Sequence, residues 1–99
     1  MVLADVDLEP LRARIEALDR ELIDLLAERL DLCREVARLK AVAGVPAHLP
    51  DRVKTVIERW VATAAGRKVD PDFVRGVCGM VIAAGTRVQE DEIARAGRA

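Results

Sequence analysis

Aromatic side chains are nearly missing from this sequence: Trp60 and Phe73 are the only two in 99 residues. A core built without them must be aliphatic, which suits helices packed on helices. Cysteine is as scarce. Cys33 and Cys78 have no CxxC spacing, which argues against a disulfide framework and against a zinc site. Both read as small buried hydrophobes. His48 is the single histidine; it reads as a loop residue, and no metal site is expected. Basic excess is absent too. The 16 Lys and Arg meet 17 Asp and Glu, for a net charge of −1, so general nucleic-acid binding is excluded. No apolar run approaches the length of a membrane span. The start, Met1 to Asp7, lacks the basic opening and long apolar stretch of a signal peptide. The expectation is a cytoplasmic protein of one domain, residues 1–99, with no cofactor motif and no nucleophile–base pair.

What the sequence does have is helix. A stretch from about Leu8 or Leu11 to about Ala43 is dense in Leu, Ala, Glu and Arg, all good helix formers. Gly44-Val45-Pro46 stops it. A second helix starts near Pro50-Asp51, carries Val53, Val56, Ile57, Trp60, Val61 and Ala64 on one face, and ends at Gly66. A third starts at Asp70-Pro71, an N-cap residue followed by proline at the first helical position. Its face is Val74, Val77, Cys78, Val81, Ile82 and Val88, and it is expected to fray near Glu92–Ala99. No strand signal is found. The fold class is all-α, with one long, one short and one medium helix.

The long helix repeats an apolar residue every four then three positions: Leu11, Ile15, Leu18, Leu22, Leu25, then Leu32, Val36 and Leu39. That spacing draws one stripe along one side, the geometry of a buried seam. A helix of about 33 residues is roughly 50 Å long, whereas a compact domain of this size has a radius of gyration of roughly 13 Å. Two short helices cannot cover such a stripe, so the seam is expected to pack on a second copy. Periodicity alone favours the plainer reading, a non-catalytic helical dimer with a coiled-coil seam.

One seam position is occupied by Arg29. An arginine there is costly unless an anion meets it. Lys40 lies about three turns later on nearly the same face, roughly 16 Å along the axis. Arg12 lies roughly 25 Å before Arg29; it can join a shared ligand only from an antiparallel partner helix. Arg52 opens the second helix beside a loop, and Gln89 sits near the end of the third. Each of these four has an ordinary reading: surface arginines, a lysine favouring the helix C-terminus, a solvated glutamine. Arg29 does not. The chemistry points to a small polyanion between helices, a dicarboxylate above all, since arginine matches carboxylate in bidentate fashion and lysine supplies a point charge.

The ordered residues resemble a known family, the all-helical chorismate mutases. Leu11-Arg12-Ala13-Arg14-Ile15-Glu16-Ala17-Leu18-Asp19 is similar to their opening LRxxIxxLD, and Leu25-Leu26-Ala27-Glu28-Arg29 to their LLxxR. Val36-Ala37-Arg38-Leu39-Lys40 resembles the end of their first helix, and Val45-Pro46 with Asp51-Arg52 their loop and second-helix start. Asp70-Pro71-Asp72-Phe73-Val74 and Gln89 resemble their third helix. The likeness runs from about Leu11 to Gln89 without large gaps. It implies an intertwined six-helix homodimer with two shared sites. It also implies roles: Arg29 with the partner chain's Arg12 on the substrate's carboxylates, Lys40 and Gln89 on the ether oxygen of the breaking C–O bond, and Arg52 on the lid side. The implied reaction is the pericyclic rearrangement of chorismate to prephenate, by positioning and electrostatics. A neutral Gln89 would leave it less dependent on pH than a carboxyl would.

Two positions depart from that pattern. The mutases commonly carry a glutamate, which meets the ring hydroxyl, where this chain has Val53, and often a serine where it has Gly85. The loop through Pro50-Asp51-Arg52-Val53 and the segment Phe73-Val74-Arg75-Gly76 look closer to two cousins. These are the isochorismate–pyruvate lyases, which form salicylate, and the mutases of 4-amino-4-deoxychorismate. Chorismate remains the expected substrate, and the two cousin reactions are the alternatives.

Overall fold

The computed structural model describes residues 6–98. Three helices follow in order, α1 (Glu9–Ala43), α2 (Pro50–Ala64) and α3 (Pro71–Ala96), and no strand occurs among the described residues. Their limits follow from local chemistry. Proline opens each helix at a first-turn position, where its missing N–H has no intrahelical partner to lose. α1 ends where Gly44 turns to φ 70°, a left-handed conformation that glycine adopts without strain. The turn is closed by the Val45 N–H, which donates to the Lys40 carbonyl at 2.9 Å. At α3, the Asp70 side chain accepts from the Phe73 N–H at 3.0 Å, the N-cap expected from the sequence.

Both α1 and α2 pack on α3. The C-terminal half of α1 makes the contact: Cys33 lies against Gly85, Lys40 meets Gln89 and Arg38 meets Glu92. Residue numbers rise together along that contact, so α1 and α3 run in the same direction. The apolar faces read for α2 and α3 do turn inward, and Val74 and Cys78 are buried.

Two expectations need correction. α3 does not fray at Glu92; it continues to Ala96. Glu92 is only 16% exposed and sits between Arg38 of α1 and Arg95, at 3.8 and 3.6 Å. A carboxylate held by two guanidiniums ties the last turns of α3 to α1. Cys33 is not a buried core residue either. Cys78 is buried, while Cys33 is half-buried and faces an opening between the helices.

The N-terminal half of α1 projects beyond the other helices. Leu11, Ile15, Leu18, Leu22 and Leu25 are each more than half exposed. The radius of gyration is 18.7 Å, with extents of 68 × 29 × 17 Å, against roughly 13 Å for a compact chain of this length. Among the described residues nothing covers the stripe.

Candidate active site

A cavity of about 500 Å³ opens where α1, α2, α3 and the loop after α1 converge. Arg29 and Lys40 enter it from α1, Arg52 and Val53 from α2, and Gly85 and Gln89 from α3. Six of the seven residues singled out in the sequence therefore share one cavity. Arg12 does not. It pairs with Glu9 on the outside of α1, at 3.3 Å, on the projecting half of the helix.

The walls are otherwise apolar, with Leu32, Val36, Leu49, Val56 and Ile82. Against them stand three cationic side chains and no Asp or Glu. Such a surface, in a chain of net charge −1, concentrates positive potential at one place.

Among the described residues Arg29 has neither a hydrogen-bond acceptor nor a carboxylate partner. The guanidiniums of Arg12, Arg34, Arg38, Arg75 and Arg95 each have a carboxylate. Arg29 is half-buried, and its five N–H donors meet no acceptor among the described residues. Its charge is felt on α3. Burial pushes the Cys78 thiol above its ordinary range, and the Arg29 guanidinium acts in the opposite sense, by less.

Lys40 is held differently. Its Nζ donates to the Ala47 carbonyl at 2.9 Å and to Gln89 Oε1 at 2.8 Å. An ammonium has three donors and no acceptor, so one N–H stays free. The same rule fixes the glutamine. Its oxygen must face the lysine, which leaves the Gln89 NH₂ as the free donating end. The cavity lining thus carries two donor groups, one charged and one neutral, and no carboxylate to neutralise them.

Sequence reasoning missed three contributors. Thr86 lines the cavity; it lies one turn before Gln89, and i, i+3 spacing from Gln89 was the available signal. Cys33 was read as core because an isolated cysteine usually is. The Ala47 carbonyl is backbone and left no trace in the side-chain pattern. His48 is exposed on the loop, as expected, and no cluster suited to a metal occurs among the described residues. No helix of the described residues is long and apolar enough to cross a membrane.

Compared with known protein families, residues 11–90 match the one described as chorismate mutase type II. The chain belongs to that family. Among curated proteins, this type II family member is 33% identical over 90 residues to a 4-amino-4-deoxychorismate mutase of Streptomyces pristinaespiralis, covering 91% of this chain and 70% of that protein. It is 36% identical over 84 residues to a 4-amino-4-deoxychorismate mutase of Streptomyces venezuelae, covering 85% and 82%. It is 32% identical over 72 residues to the bifunctional chorismate mutase/prephenate dehydratase of Escherichia coli, covering 73% of this chain and 19% of that protein. As a type II chorismate mutase family member, the chain carries its cationic cavity within the matched stretch.

Proposed function

We propose that this protein is a chorismate mutase, which rearranges chorismate to prephenate. One observation carries the reading: a cavity with three cations, no carboxylate, and a half-buried Arg29 that meets no anion among the described residues. The reaction is a unimolecular isomerisation. The ether C–O bond breaks as a C–C bond forms, and no enzyme nucleophile or proton transfer is needed. The site has two tasks. It holds a flexible dianion in its compact reactive conformer, which Arg29 does through a carboxylate. It also stabilises negative charge growing on the ether oxygen, which suits the free N–H of Lys40 and the Gln89 amide. Arg52 adds positive potential from the open side.

Chorismate, isochorismate and 4-amino-4-deoxychorismate compared side by side test the assignment. Chorismate is expected to have the highest kcat/KM, and last place for it would overturn the choice. Val53 cannot hydrogen-bond a ring hydroxyl, and a lost neutral hydrogen bond costs about 0.5–1.5 kcal/mol. Val53→Glu is therefore expected to raise chorismate turnover by roughly three- to tenfold. A second reading has its own support: the two Streptomyces relatives, of which this chain spans 70% and 82%, are named 4-amino-4-deoxychorismate mutases. Under it, the amino substrate exceeds chorismate by roughly a hundredfold.

The proposal extends to a homodimer with shared sites, in which the partner supplies Arg12. The uncovered α1 stripe and the extended shape support it. Sedimentation at micromolar concentration is expected to give a dimer, and a stable monomer would sink the shared site. Arg12→Ala and Arg29→Ala chains, each nearly inactive alone, are expected to recover activity when mixed. Random pairing makes half the dimers mixed, each with one intact site, so about a quarter of wild-type activity returns. No recovery after proven chain exchange refutes cross-chain sharing.

A further inference from the structure

Gly85 is buried in the middle of α3, where glycine is a poor helix former and alanine the best. Its positive contribution must lie in space. A Cβ at this position would stand 3.0 Å from Cys33 Sγ and 3.5 Å from Arg29 Nη1. The first distance is tighter than ordinary van der Waals contact, so the thiol would have to give way slightly to admit a side chain at position 85. Gly76 and Gly79, on the same helix, have open space at the corresponding point. Cys33 and Arg29 are one turn apart on α1 and share a face. The guanidinium therefore lies along α3, with the Cys33 thiol beside it and bare backbone beneath it.

We propose that Cys33 and Gly85 form a matched pair that sets the height of the Arg29 guanidinium over α3, with Cys33 as a positioning residue. The inference rests on the reading of Arg29 as the carboxylate anchor. A side chain at position 85 shifts the thiol, the guanidinium or both, and a guanidinium that moves loses its bidentate fit. A carboxylate carries the same charge in the ground and transition states. Misplacing its partner therefore weakens binding more than it slows the bound reaction.

Gly85→Ala, Cys33→Ala and the double variant test the pair, each at one fixed protein concentration, by thermal unfolding and by chorismate kinetics. In the wild-type background Gly85→Ala is expected to leave the melting temperature unraised despite alanine's better helix propensity. It is expected to raise KM roughly five- to tenfold with a smaller change in kcat. In the Cys33→Ala background the same substitution is expected to raise the melting temperature and to leave KM within about twofold of its parent. An equal rise in melting temperature in both backgrounds, or an unchanged KM in the wild-type background, overturns the pair. If the wild type turns over none of the three substrates, the functional reading of the cavity fails by itself. The thermal comparison, which needs no substrate, then decides whether Cys33 and Gly85 are coupled.

Discussion

Arg29→Ala is expected to lower kcat/KM by roughly a hundredfold to several thousandfold while the helical circular dichroism stays at the wild-type level. The magnitude follows from what is left behind. Removing one partner of a buried, hydrogen-bonded ion pair costs about 3–5 kcal/mol, because the other charge stays desolvated and unpaired. At about 1.36 kcal/mol per decade this is two to nearly four decades. Under the proposed function the stranded charge is the substrate's carboxylate. The unliganded protein should not suffer in parallel. Arg29 has no carboxylate partner among the described residues, so its removal relieves a half-buried charge and breaks no ion pair within the chain. Stability without ligand equal to or above that of the wild type is the expected companion result. Arg29→Lys should recover only part of the loss, since lysine keeps the charge and loses the fork. Unchanged kinetics, or collapse of the helical signal, would each remove Arg29 from the site.

Lys40→Met is expected to lower kcat by roughly a hundredfold to a thousandfold and to change KM far less. Charge on the ether oxygen grows as the C–O bond breaks, so the lysine's contribution falls mostly in the transition state. Methionine retains much of the aliphatic stem, which keeps the apolar packing near Val36. It gives up the bonds to Ala47 and Gln89, which hold the loop and orient the amide. Gln89→Ala should cost less than Lys40→Met, because a neutral donor stabilises a growing charge less than an ammonium does. Steady-state kinetics over a range of chorismate concentrations separates the two parameters. A rise in KM with kcat unchanged would make Lys40 a simple electrostatic tether for the dianion.

The helices were legible because their signals are local. Each boundary rests on a few adjacent residues: proline at the start of α2 and α3, Asp70 as an N-cap, Gly44 at the end of α1. The end of α3 was read too early for the opposite reason. Its last turns are held by Arg38, far away in the sequence, and no local pattern reports such a tie. Cys33 was misread in the same way. A cysteine's neighbours along the chain do not say whether its thiol lies in a core or on a cavity wall.

For the site, the sequence by itself determined which residue types were out of place. Arg29 interrupts an apolar register of period 3.5, and that needs only the order of residues along one helix. Helical rise likewise separates Arg12 from Arg29, since at 1.5 Å per residue the two lie roughly 25 Å apart along α1. Tertiary structure alone decided what converges. Lys40 and Gln89 are 49 positions apart, and only the packing of α1 on α3 turns them into one pair of donors. That contact also settles which end of the Gln89 amide faces the lysine, because an ammonium cannot accept a hydrogen bond. The close approach at position 85 likewise exists only through space. It comes from a thiol on another helix, 3.0 Å from where a side chain would begin.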